Sequence, residues 1–134
     1  MAQDPSFGID PHTGRALTGW EHVCSCIRDM LMTRFGARLM REWYGTFLPD
    51  ALGRNITRGE MLPVFASITS AIDLWEPRFE VIEVAIDGGD SGSGELSLII
   101  RGHYRPRALL GDVSVRSRRD LSISLGADEN LTVR

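Results

Sequence analysis

Apolar residues recur at helical spacing over two stretches of the chain. Trp20, Val23, Cys24, Ile27, Met30 and Leu31 share one face of a 3.6-residue period, and Met61, Leu62, Val64, Phe65, Ile68, Ala71, Ile72 and Trp75 share another. Each stretch predicts an amphipathic helix with one buried face. Thr18 and Glu21 precede the first at capping-box spacing, and Thr57 and Glu60 precede the second. A hydroxyl and a carboxylate are therefore expected to satisfy the orphan amides at each start. Pro63 would fall in the second turn of a helix capped by Thr57, where its ring clashes, which favours a start nearer Glu60. Phe35-Gly36 is expected to close the first helix, since glycine takes the left-handed conformation that ends helices.

A period of two replaces the helical one further along. Phe79 to Ile86 and Glu95 to Tyr104 read as strands around the polar loop from Asp87 to Gly94, a long-looped hairpin. Leu121, Ser122, Ile123, Ser124 and Leu125 alternate apolar and polar, as a half-buried strand near a sheet edge does. Ala37 to Tyr44 reads as a strand, Gly45 to Asn55 as loop or short helix, and Phe7 to Leu17 as an arm or irregular hairpin. The second helix meets the first strand of the hairpin at Glu76-Pro77-Arg78. Pro77 removes a backbone donor and disfavours helix at Glu76, so the helix must stop and the chain must leave extended. These elements predict an α+β fold with two main amphipathic helices packed on a small mixed or antiparallel sheet. The expected division is an N-terminal arm or hairpin over 1–17, one domain over 18–125 and a tail over 126–134.

The 134 residues suffice for one core and not for two. A formal net charge of −3 argues against a nucleic-acid binder with a dominant basic face and points to protein partners. Every basic side chain is Arg, which reflects either genome composition or the better fit of a forked guanidinium to interfacial ion pairs. Arg101, His103, Arg105, Arg107, Arg116, Arg118 and Arg119 gather positive charge in the last third of the chain, where an acidic protein partner is the expected counterpart. No apolar run approaches the roughly 20 residues that span a bilayer, and the first residues lack a signal-sequence pattern, so no membrane partner is expected. Cys24 and Cys26 point to nearly opposite helix faces and cannot share a metal. Cys24 is expected to be buried, and Cys26 to be an exposed thiol open to an intermolecular disulfide. His12, His22 and His103 are scattered without ligand spacing, so neither a metal nor another cofactor is expected.

Several short motifs resemble, in order and spacing, the small baseplate wedge proteins of contractile-tailed phages, the W-type sheath-initiator family also found in type VI secretion baseplates. They are Gly8-Ile9-Asp10, Thr13-Gly14-Arg15, Ile27 to Leu31 with Thr33, Gly36-Ala37-Arg38 with Met40-Arg41, Tyr44-Gly45, and Trp75-Glu76-Pro77-Arg78. Ala37 stands where a small hydroxyl residue is common, and the stretch beyond Gly126 has no counterpart. The resemblance implies a structural, non-enzymatic subunit of a virion tail baseplate, assembled in the host cytoplasm and repeated sixfold around the tail axis. Its implied partners are larger wedge subunits, the tail sheath protein, and tube or hub proteins. It implies that Glu76, Pro77 and Arg78 dock on a helical bundle of wedge subunits, with Arg38, Arg41 and Tyr44 as further interface candidates. It also implies that a sheet edge receives a strand-like arm from the first sheath ring, for which Leu121 to Leu125 is the candidate here.

The residues alone leave alternatives open. Glu76 and Arg78 could equally be an intramolecular pair that holds the elbow, and Arg38 and Arg41 a solvated strand face with Tyr44 packed at its end. Trp20 and Trp75 read as core. The rival function is a muramidase at the tail tip, which needs two carboxylates about 5–9 Å apart. Asp73, Glu76, Glu80 and Glu83 could supply them, although nothing marks one as buried acid and another as nucleophile. A tailocin or type VI secretion system could use the same subunit.

Overall fold

A computed structural model describes residues 6–51, 58–90, 95–125 and 131–133. Phe7–Ile9 (β1) and Ala16–Thr18 (β2) pair antiparallel, with Gly8 opposite Leu17. The turn between them is tied by Asp10, whose carboxylate accepts from the His12 amide at 3.0 Å and the Thr13 hydroxyl at 2.6 Å. Gly19–Met32 (α1), the four-residue Leu48–Ala51 (α2) and Arg58–Trp75 (α3) follow. Phe79–Asp90 (β3), Glu95–Tyr104 (β4), Ser117–Leu125 (β5) and Leu131–Val133 (β6) form one antiparallel sheet in the order β3-β4-β5-β6. A short 3-10 turn at Ala108–Leu110 lies between β4 and β5.

The predicted α+β class and both long helices are present. Val23, Ile27, Met30 and Leu31 of α1 and Met61, Val64, Ile68, Ala71 and Ile72 of α3 are buried, and they face Phe79, Leu98, Ile100, Tyr104, Leu121 and Ile123 of the sheet in one core. Each fully buried side chain of this size contributes roughly 1.5–3 kcal/mol relative to exposure. Trp20 lies 5.5 Å from the Phe79 ring and 5.2 Å from Tyr104, which seals α1 against β3 and β4. No helix among the described residues is long and apolar enough to cross a membrane.

Several local expectations are corrected. Thr18 stands at the N-cap of α1 but makes no side-chain cap, because it closes β2 opposite Phe7 and its backbone belongs to that ladder. Helix α1 ends at Met32, before Phe35-Gly36, where the Thr33 hydroxyl donates to the Asp29 carbonyl at 2.7 Å and the Thr33 amide to Met30. Ala37 to Tyr44 is not a strand. Its amides close successive turns, Ala37 to Arg34, Arg41 to Arg38 and Tyr44 to Arg41, and Met40 sits at φ 62°. Helix α3 begins at Arg58 and carries Pro63 inside it, while Thr57 lies outside the described residues. Strand β3 runs beyond Ile86 to Asp90, paired with Glu95 to Ser97, so the hairpin loop is shorter than expected. Bulges after Val81 and Ile86 absorb the change in register.

Candidate functional site

The elbow after α3 is built by backbone chemistry. The Glu76 amide still donates to Ile72 at 2.8 Å, Pro77 has no amide to continue the ladder, and the Phe79 amide closes a turn onto Glu76 at 3.2 Å. The turn places Glu76 and Arg78 side by side, and both point inward, each only 3% exposed. Arg78 grips the carboxylate with two parallel hydrogen bonds, Nε to Oε1 at 2.6 Å and Nη2 to Oε2 at 2.8 Å. Its Nη1 donates to Ser6 Oγ at 2.6 Å and faces His22 Nδ1 at 3.0 Å, and its Nη2 reaches Cys26 Sγ at 3.6 Å. All five N–H donors of the guanidinium therefore have acceptors. Because Arg78 can only donate, His22 Nδ1 accepts, which assigns the ring proton to Nε2.

Burial works against the charge of Arg78, but the hydrogen bonds and charge of Glu76 outweigh it and hold the guanidinium above its ordinary value. Burial also raises the Cys26 thiol, with Glu76 adding to the effect and Arg78 opposing it. Cys26 is thus a half-buried partner of the network, not the exposed thiol expected from helical spacing. The structure turns the charged ends of Glu76 and Arg78 into the protein and leaves Pro77 exposed at the apex, with Leu74 exposed just before it.

Arg38, Arg41 and Tyr44 are brought together, around two residues that sequence reasoning did not place there. Asp29 Oδ2 accepts from the Tyr44 hydroxyl at 2.7 Å and from Arg38 Nη2 at 2.5 Å, while the Arg38 guanidinium lies 4.3 Å from the centre of the Tyr44 ring. Trp75 meets Tyr44 edge-on at 5.5 Å and carries Arg41 over its ring at 5.5 Å. Burial, then the bond to Asp29, pushes the Tyr44 phenol well above its ordinary value. Nothing in the pattern near Asp29 signals this role, since its phenolic partner is 15 residues away.

The strand at Leu121 to Leu125 is only partly an edge. Leu121 and Ile123 are buried and Ser122 and Ser124 exposed, as alternation predicts, but β6 pairs with Ile123, Ser124 and Leu125 on the outer side. Among the described residues, no strand covers the outer side of β5 from Ser117 to Ser122.

The acidic residues weighed for catalysis are distributed among partners. Glu83 pairs with Arg101 at 2.8 Å, and Glu80 accepts from His103 Nδ1 at 3.2 Å and pairs with Arg105. The hydrogen bonds from His103 and Arg105 hold Glu80 below the usual carboxylate range. Asp73 is exposed. Among the described residues no group of His, Cys, Asp and Glu could hold a metal ion.

Baseplate protein W of Escherichia phage P2 is 28% identical to this chain over 98 residues, 73% of this chain and 84% of that protein. Among solved structures, a chain of the postcontracted pyocin R2 baseplate matches with TM-score 0.61 and 27% identity, over 74% of this chain and 98% of that one. A candidate tail lysozyme from Geobacter sulfurreducens matches with TM-score 0.62 and 24% identity, over 82% of this chain and 93% of that one, a likeness of fold alone. Residues 17–109 match the family model described as baseplate wedge protein gp25, a span that takes in α1, α3, the elbow and the β3 and β4 hairpin. Since this is more than half of its length, the chain belongs to the baseplate wedge protein gp25 family.

Proposed function

We propose that the chain is a structural wedge subunit of a contractile-tail baseplate that joins larger wedge subunits at its elbow end and starts sheath assembly at the open stretch of β5. The family match over residues 17–109 carries this reading, because it spans the elbow and the hairpin on which β5 is laid. Residues 18–125 act as the domain, with the N-terminal hairpin fastened to it by the Arg78 bond to Ser6 and the seating of Gly8 on His22. In the elbow, Glu76 and Arg78 serve as an internal brace that fixes Pro77 and its neighbours for docking. Arg41 and Tyr44 belong to the same end through their contacts with Trp75, and Arg38 joins them over the Tyr44 ring.

On its outer side, Ser117 to Ser122 offers backbone donors and acceptors that no strand among the described residues pairs, ready for an arm of the sheath protein, and main-chain pairing of this kind needs no deep pocket. Arg116 and Arg118 are exposed beside it and suit an acidic arm. The remaining partners are tube or hub proteins, in a sixfold arrangement around the tail axis, with assembly in the host cytoplasm. The particle is a phage tail, with the equivalent subunit of a tailocin or type VI secretion baseplate as the alternative.

The reading is non-enzymatic. A glycosidase requires one carboxylic acid kept protonated beside a second carboxylate. Glu80 is shifted the opposite way, and both oxygens of Glu76 are occupied by Arg78. Hydrogen exchange tests the sheath role: Ser117 to Ser122 amides gain protection when the sheath protein of the same tail is added. Unchanged exchange there, in a sample that has bound sheath, would remove β5 as the acceptor.

A further inference from the structure

Beyond Thr33 the chain forms a loop with a fastened base and a bare tip. The Thr46 hydroxyl donates to the Leu31 carbonyl at 3.1 Å, the Thr46 amide to Thr33 at 3.0 Å, and the Gly36 amide to Glu42 at 2.9 Å. Gly45, at φ 133°, is pressed against the Thr33 carbonyl with no room for a Cβ. Phe35 and Phe47 stack edge-on across the neck at 4.8 Å, and Tyr44 is moored to Asp29. Yet Leu39 is 95% exposed, Met40 99% and Trp43 78%.

A connection that only links two helices gains nothing from holding three large apolar side chains in water, and such clusters mark contact surfaces. A moored base means that little chain freedom is lost on docking. The charges nearby point to the chemistry of the occupant. Arg34 pairs with Asp50 and Arg38 with Asp29, whereas Arg41 lies over the Trp75 ring and has no carboxylate partner among the described residues. A protruding tip needs a concave counterpart, and an uncompensated guanidinium beside it needs an acid. Arg41 also links the tip to Trp75, two residues before the apex of the elbow, so tip and elbow belong to one end of the molecule.

We propose that Leu39, Met40 and Trp43 form a plug that enters an apolar groove on a larger wedge subunit, with Arg41 meeting a carboxylate at the groove's rim. This rests on the wedge reading above. The test is co-expression of the full chain with the larger wedge subunits of the same tail, with affinity measured for wild type, Trp43→Ser, Met40→Ser and Arg41→Glu. Leu109→Ser, at an exposed apolar position elsewhere, serves as control.

Truncating a buried aromatic anchor is expected to weaken binding about 10- to 100-fold, with Leu109→Ser unchanged. Arg41→Glu is expected to weaken it as well, by setting like charges against each other. Circular dichroism should match wild type for all variants, since the altered side chains are exposed. If wild type binds no wedge subunit, the wedge reading itself fails and the plug with it. If wild type binds and both Trp43→Ser and Met40→Ser bind as tightly, the plug alone is overturned. If the isolated chain self-associates and Trp43→Ser makes it monomeric, the occupant is a second copy and the proposal is likewise overturned.

Discussion

Gly8 lies against the imidazole of His22 so closely that a Cβ on Gly8 would stand 2.5 Å from Nε2. The position is set by His22 itself, whose other nitrogen accepts from Arg78 and whose ring cannot retreat without breaking that bond. Gly8→Ala is therefore expected to destabilise the protein by about 1–3 kcal/mol through overpacking. Urea unfolding would show it, and limited proteolysis should cut the N-terminal hairpin first. Adding His22→Ala to Gly8→Ala should recover part of the loss. A Gly8→Ala protein as stable as wild type would mean that the hairpin is not seated on α1.

The Glu76 and Arg78 pair offers a second measurement. Arg78→Met leaves a buried carboxylate without its partner and is expected to cost about 3–5 kcal/mol. Glu76→Gln/Arg78→Met, with no stranded charge, should be more stable than Arg78→Met alone. Additive losses in that double-mutant cycle would indicate that the pair is solvated, contrary to its burial.

Alkaline pH should loosen the fold through Cys24. Burial pushes its thiol up to about 11 from an ordinary value of 9.0, outweighing the opposing effect of Arg119. A group raised in the folded state contributes its full stability below the unfolded value and loses it as pH climbs to the folded one. The loss is thus expected between about pH 9 and 11. Cys24→Ala should unfold with a shallower pH dependence over that interval. Identical slopes for the two proteins would show that Cys24 does not titrate with unfolding.

Ending the chain after Leu125 removes β6 and uncovers the outer side of Ile123, Ser124 and Leu125. Leu121 and Ile123 stay paired with Ile100 and Leu98 of β4 on their other side, so circular dichroism should report a folded protein. The lengthened open edge should promote self-association, visible by sedimentation as concentration rises. A truncated protein that stays monomeric throughout would mean that β6 is not what guards this edge.

What could be read from the residues was what repeats locally. Val23, Ile27, Met30 and Leu31 mark a face because each turn of helix brings the next to the same side, and all four are buried. Pro77 stops α3 through its own ring, so the elbow was equally legible. Ala37 to Tyr44 reads as a strand because apolar residues lie close together there, whereas three of them point to solvent from turns that Gly36, Met40 and Gly45 shape with positive φ. The inward aim of Arg78 depends on Ser6 and His22, 72 and 56 residues away, and the cover on Leu125 depends on a strand in a polar tail. Neither leaves a trace in a local window.

A single guanidinium joins the strand entry at Ser6, the first turns of α1 and the elbow after α3. Tension applied at Pro77 consequently has two routes into the body of the protein, one along the backbone into β3 and one sideways through Arg78 into α1 and the hairpin. The load is shared instead of peeling one strand from its neighbour. A part built this way resists being pulled open at its corner and transmits the tug as a rigid piece.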